Sequence, residues 1–186
     1  MDKDVSAGSG ITTVVGRLAL GITLLAFGLG HTAVIDGVSA ADTVSIAQYV
    51  GGIALFVAGL VALREGDSAG GTAFSVLGAL WFTWAVSDGA AGNAAGLFLL
   101  LFALVALSLT LAGGDQLGQA MYGLFFVALL LMAIAEFAGN DGLTKVGGWF
   151  AVASGAVAWY AATAVLAHWP TVLPRRAAGR GVTATG

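Results

Sequence analysis

The feature that most limits the fold is a series of long apolar runs, nearly free of charge, separated by short turns rich in Gly, Asp and Asn. The clearest junction lies between Ala58 and Thr83, AGLVALREGDSAGGTAFSVLGALWFT. Arg64, Glu65 and Asp67 cluster there, flanked on both sides by apolar stretches. A helix crosses a bilayer core with about 20 apolar residues and keeps its charges at the ends. One span therefore ends at this turn and the next begins. The repeated pattern predicts an all-α, polytopic membrane protein of six transmembrane helices. The spans are Thr12–Thr32, Thr43–Leu63, Gly71–Ser87, Ala94–Ala112, Gln116–Ala138 and Thr144–Ala167.

Composition agrees. Charged residues make up 9% and apolar residues 59% of 186, against roughly 25% and 45–50% in soluble domains. Residues 1–10 are polar and rich in Gly and Ser, and are expected to be a disordered cytoplasmic N-terminus. Residues 11–169 form the transmembrane domain. After Trp169 and Pro170, residues 170–186 are expected to be a basic cytoplasmic tail. The start, Met1-Asp2-Lys3-Asp4, does not resemble a signal peptide, so the first apolar run is expected to remain in the mature protein. Six spans place both termini on one side. That side carries Lys3, Arg64, Arg175, Arg176 and Arg180, with Arg17 nearby, and the other carries only Lys145. The positive-inside rule then sets both termini in the cytoplasm, with the chain in the plasma (inner) membrane.

Enzymatic chemistry finds little support. There is no cysteine, which excludes disulfides and thiolate metal sites. His31 and His168 fall on opposite sides of the membrane, so neither a metal site nor a histidine triad is expected. No general acid–base cluster is visible, and no cofactor is implied. The absence of a basic patch argues against nucleic acid as a partner.

Polar residues at membrane depth or at helix ends are the functional candidates, because lipid cannot hydrogen-bond them. They are Arg17, His31, Gln48, Asn93, Glu136 and Asn140. Each also has a structural reading. Arg17 snorkels to headgroups, His31 closes a span at the interface, Asn93 caps a helix, and Asn140 is a turn residue. Glu136, in the last turn of its span, faces desolvation, a neighbouring acid and the negative end of its own helix dipole. Each disfavours the charged form. Lys145 is the cation that could pair with it. The tryptophans read as interface anchors. Small residues line the second span at Ala54, Ala58 and Ala62. On the sixth they form two stripes, Gly147–Ala151–Gly155 and Ser154–Ala158–Ala162. Such stripes permit close helix packing in lipid and predict association into a homo-oligomer.

Two blocks carry a family resemblance. The first is G-x-T-A-F-x-x-x-G-x-x-W-x-T over residues 70–83. The second is A-I-A-E-F-A-G-N at Ala133–Asn140, followed by Gly148-Trp149, Gly155-Ala156, Tyr160 and Thr171–Pro174. Together they resemble the acetate uptake transporters (the succinate–acetate permease or YaaH-type family). The resemblance implies a ring of six protomers in the bilayer, each with its own pore for a small carboxylate. It also implies bulky apolar side chains pinching that pore. By alignment these are Leu77, Phe125 and Leu20, and Leu77 stands where the family usually has Tyr. Other positions depart from the family. The N-P-x-P-L-G-L signature is replaced by ITTVVGR at Ile11–Arg17. Leu55 stands for Gln, Ala62 for Glu and Glu136 for Asn. Three functions stay open at this point: a transporter or channel for small monocarboxylates such as acetate; a channel for small neutral solutes such as urea, amides, ammonia or undissociated acid; and a non-transporting structural oligomer.

Overall fold

The computed structural model describes residues 3–87 and 92–169, with side chains from residue 10 onward. The turn residues 88–91, the motif residues 171–174 and the basic tail lie outside the described residues. Six helices are long and apolar enough to cross a membrane. They are α1 (Lys3–Thr32), α2 (Ala40–Arg64), α3 (Ser68–Val86), α4 (Asn93–Leu111), α5 (Gln116–Ala138) and α6 (Asp141–Leu166). Each predicted span corresponds to one of them. α1 also runs back through the Gly- and Ser-rich leader to Lys3, where disorder is the sequence expectation. A helix already nucleated extends at little cost per residue. Its apolar part begins at Gly10.

Local chemistry sets the ends. Asp67 and Asp115 cap α3 and α5 by accepting the amide hydrogens of Gly70 and Gly118, and Asn140 caps α6 by accepting that of Leu143. These contacts satisfy amides that have no partner within the helix. α5 stops at Gly139, which takes the left-handed conformation at φ 59°. The sequence suggests Asp42 as the cap of α2. Instead Ser39 is the cap, and Asp42 reaches back to both its amide and its hydroxyl.

α2 is not a uniform α-helix. It opens with a tight 3-10 turn over Ala40–Thr43 and a short α segment, Val44–Ile46. A π-helical stretch, Ala47–Ala54, then leads into the α-helix Leu55–Arg64. Gly51, Gly52, Leu55, Ala58, Gly59 and Ala62 form the buried face, and Ala54 is exposed. The predicted Ala54–Ala58–Ala62 stripe is therefore only partly used.

The helices close into a ring. α1 packs on α6, α6 on α5, α5 on α4, α2 on α3, and α2 on α1. Glycines set most of these approaches. A methyl group on Gly28 would lie 2.7 Å from both the Gly148 carbonyl oxygen and the Val152 nitrogen. One on Gly155 would lie 2.7 Å from the Leu25 nitrogen and 2.9 Å from the Gly21 carbonyl oxygen. Gly21 and Gly28 thus face Gly155 and Gly148 across an antiparallel seam. Gly147 belongs to another face, against Ala128 and Met132 of α5, and Ser154 donates there to the Met121 carbonyl at 2.7 Å. The stripes on α6 are consequently partitioned differently from the sequence expectation: Gly148 and Gly155 serve α1, and Gly147 and Ser154 serve α5. Gly52, Gly59, Gly71 and Gly78 let α2 and α3 approach in the same way.

The outer surface is apolar. Ile22, Phe56, Leu60, Phe82, Leu97, Leu101 and Leu104 are among its exposed side chains. A surface of that kind suits contact with lipid.

Gly28→Ala should destabilise the protein by about 1–3 kcal/mol, because a backbone atom has to move to admit the methyl group. Gly123 provides the contrast: a methyl there meets only Thr110 Cγ2 at 3.7 Å. Gly123→Ala should be neutral or stabilising by up to about 1 kcal/mol through helix propensity. Thermal unfolding of both variants in detergent checks the pair, and equal losses would contradict the seam.

Candidate transport path

A cavity of about 580 Å³ opens at the end of the bundle where α1, α3 and α5 begin. Its lining includes Thr13 and Arg17 of α1, Asp67 and Phe74 at α3, and Asp115, Met121 and Tyr122 at α5. Arg17 forms an ion pair with Asp115. Thr13 Oγ1 donates to Asp67 Oδ2 at 3.3 Å. The capping aspartates therefore also tie the starts of three helices together. The Arg17 side chain is 19% exposed and turned to Asp115. With one arginine and two aspartates, the vestibule is formally −1.

The vestibule ends on Phe74 and Met121, each 2% exposed. Each α-helical residue advances about 1.5 Å. One turn deeper on the same three helices stand Leu20, Leu77 and Phe125, all fully buried. The next turn brings Leu24, Trp81 and Leu129, also fully buried. Phe27 and Met132 follow, at 3% and 2%. α4 supplies Phe102, whose ring lies edge-on to Trp81 and to Phe125, with centroids 5.6 Å away in each case. Trp81 stacks on Phe125 at 5.9 Å and 19°. Phe27 meets Trp81 edge-on at 5.1 Å. Leu20, Leu77 and Phe125 thus belong to one apolar plug, several side chains deep.

At the far end of the plug the chain turns polar again. His31 Nδ1 is 2.7 Å from the Phe27 carbonyl oxygen, and its ring lies 4.3 Å from that of Phe27. Glu136 Oε2 accepts the Gly92 amide hydrogen at 3.0 Å, linking the end of α5 to the start of α4. It is also close enough to His31 to interact electrostatically. Lys145 forms no ion pair among the described residues, so it does not balance Glu136. Asn140 is exposed and occupied as a helix cap. Asn93 begins α4 behind the cap residue Gly92. Gln48 lies half-buried in the π-helical stretch. Among the described residues no group of acids and histidines could hold a metal ion.

The sequence does not single out Asp67, Asp115, Phe74 or Phe102, and it misplaces Trp81 at the interface. A signal for the aspartates exists: Asp-x-x-Gly opens both α3 and α5. Trp81 could be found from its spacing, one helical turn past Leu77.

A ring of six membrane helices, vestibuled at one end and plugged by apolar side chains along its axis, defines a polytopic membrane protein of the pore-forming kind. The comparisons give the family. The chain matches the GPR1/FUN34/yaaH family over residues 9–172 and belongs to it. It is 29% identical over 162 residues to the succinate-acetate/proton symporter SatP of Escherichia coli (strain K12), covering 80% of this chain and 84% of that protein. It is also 29% identical over 140 residues to ammonia transport outward protein 2 of Saccharomyces cerevisiae, covering 67% of this chain. The chain spans about half the length of that yeast relative (50%). The solved structure of the bacterial acetate channel SatP superposes with a TM-score of 0.76 at 26% identity, covering 88% of this chain and 97% of that one.

Removing either member of the Arg17–Asp115 pair should show thermodynamic coupling. A double-mutant cycle with Arg17→Met and Asp115→Asn should give about 1 kcal/mol, shrinking at high salt. A coupling of zero at low salt would mean that the two charges do not act on each other.

Proposed function

We propose that this protein carries small monocarboxylates such as acetate across the plasma (inner) membrane, each protomer through its own central path. The observation that carries this reading is the stack of Leu20, Leu77 and Phe125 directly beneath a polar vestibule, in a fold that superposes on an acetate channel. We read both termini as cytoplasmic, so that the vestibule faces the cell interior. The protein is read as a transporter and not as an enzyme, in line with its relatives. A homo-hexamer follows from the family resemblance rather than from the small-residue stripes, which are occupied largely within the protomer. An apolar groove on α2 and α3, lined by Ile53, Phe56, Val57 and Phe82, offers a surface for a neighbouring protomer.

The plug sets the energetics. Desolvating a carboxylate costs far more than desolvating the neutral acid. Arg17 does little to offset that cost, because Asp115 already balances it. The neutral acid is therefore the form that crosses most readily, and an apolar pinch of this kind rejects bare ions. Glu136 and His31 stand where external solute would arrive.

In proteoliposomes, labelled acetate should enter faster than in protein-free vesicles at matched pH. Equal rates at every pH would refute the reading. Leu77→Ala should raise the rate several-fold and admit longer acids, at a cost of about 2–5 kcal/mol in stability. An unchanged size preference would mean that Leu77 only packs the helices.

A further inference from the structure

The plug contains one polar group that its packing does not explain. Trp81 is fully buried, and its Nε1 hydrogen has no acceptor among the described residues. The rings around it belong to Phe27, Phe102 and Phe125, which offer no oxygen. Buried donors in native proteins almost always have partners, and an orphan in the core calls for a cause. Packing alone would be served by an apolar side chain with no N–H to desolvate.

Position supplies the cause. Trp81 stands one turn past Leu77 on the same face of α3 and stacks directly on Phe125. A solute that parts Leu77 and Phe125 meets the indole next. A second polar group is close by. Thr23, 1% exposed, donates its hydroxyl hydrogen to the Ala19 carbonyl, which leaves the oxygen with a free lone pair. The same bare stretch of backbone separates the two. A methyl group on Gly51 would lie 2.9 Å from Thr23 Oγ1 and 3.1 Å from Trp81 Cγ. Gly51 belongs to the π-helical stretch of α2, a distortion found often at functional sites.

We propose that the Trp81 indole N–H is a hydrogen-bond donor to the carboxyl group of the solute at the dry midpoint of the path. The proposal rests on the transport reading above and adds a specificity element to it. A solute leaving the vestibule gives up its bonds to water, and one fixed donor in the plug replaces part of that loss. A single donor also binds weakly enough to release the solute, as conduction requires. The group favours solutes with an acceptor oxygen. It offers nothing to an ammonium ion, which can only donate.

The test uses the full chain with ¹⁵N-labelled indole in lipid nanodiscs. The Trp81 resonance is assigned by its absence from Trp81→Phe. Should that variant not fold, single Phe substitutions at Trp84, Trp149, Trp159 and Trp169 assign it by elimination. Sodium acetate should move the Trp81 N–H resonance downfield saturably, leaving the other indoles unmoved, whereas sodium chloride should not. In proteoliposomes, Trp81→Phe should lower protein-dependent acetate uptake at least fivefold with no fall in melting temperature. A Trp81 resonance that stays put at saturating acetate overturns the proposal. So does Trp81→Phe uptake at or above the wild-type rate, as expected if the indole is only filler. Wild-type uptake no faster than protein-free vesicles would instead overturn the transport reading as well, and the two failures are told apart by that control.

Discussion

The contact on which the ring depends is the glycine seam between its first and last helices. Lipid chains are as apolar as leucine, so burial gives helices little reason to associate inside a bilayer. Dispersion between closely approached backbones does the work instead, and it falls steeply with distance. Gly21 and Gly28 on α1, set against Gly155 and Gly148 on α6, bring main-chain atoms to distances that a side chain would block at Gly28 and Gly155 and crowd at Gly21 and Gly148. The seam joins helices more than a hundred residues apart in sequence. Without it the six helices would form a row and not an enclosure, and Leu20 would have no fixed place opposite Leu77 and Phe125.

The enclosure separates two kinds of chemistry along one axis. At the end where α1, α3 and α5 begin, charges are paired off locally: Asp115 serves as a helix cap and as the partner of Arg17. A vestibule arranged in this way can hold water without strongly trapping an ion of either sign. The next few turns hold almost no polar atoms, and the Trp81 N–H is one of the few. His31 and Glu136 mark where polarity returns. The three odd-numbered helices carry this sequence of layers in register, since all run in the same direction from the vestibule.

Much of the fold is written in the local pattern. Run length, turn composition and charge placement are short-range properties, so the six helices and their order are readable without the structure. Pairings between distant residues are not. Which glycines face α1 and which face α5 depends on helix rotation, and Gly147 and Gly148 go opposite ways although adjacent. The partners of Arg17 and Glu136 are 98 and 44 residues away in sequence, which no local signal reveals. Trp81 shows the same limit in another form. Tryptophan near a span end usually anchors at the interface, and only the neighbouring rings reveal that this one is interior. The π-helical stretch of α2 has no sequence mark beyond Gly51-Gly52. Leu20, Leu77 and Phe125, which the family alignment singles out and composition does not, are all fully buried.

One junction of the ring is unlike the others. α3 and α4 are adjacent in sequence, yet among the described residues they show little close backbone approach. Rings meet there instead, Trp84 with Phe98 at 5.8 Å and Trp81 with Phe102 at 5.6 Å. Glycine-locked seams resist separation, because a small displacement forfeits much of their attraction. Aromatic faces can slide and tilt through several offset geometries at nearly equal energy. The rings at this junction are also the ones that fill the centre of the bundle, since Trp81 and Phe102 both pack on Phe125. The side chains that join α3 to α4 and those that occupy the interior are therefore one set.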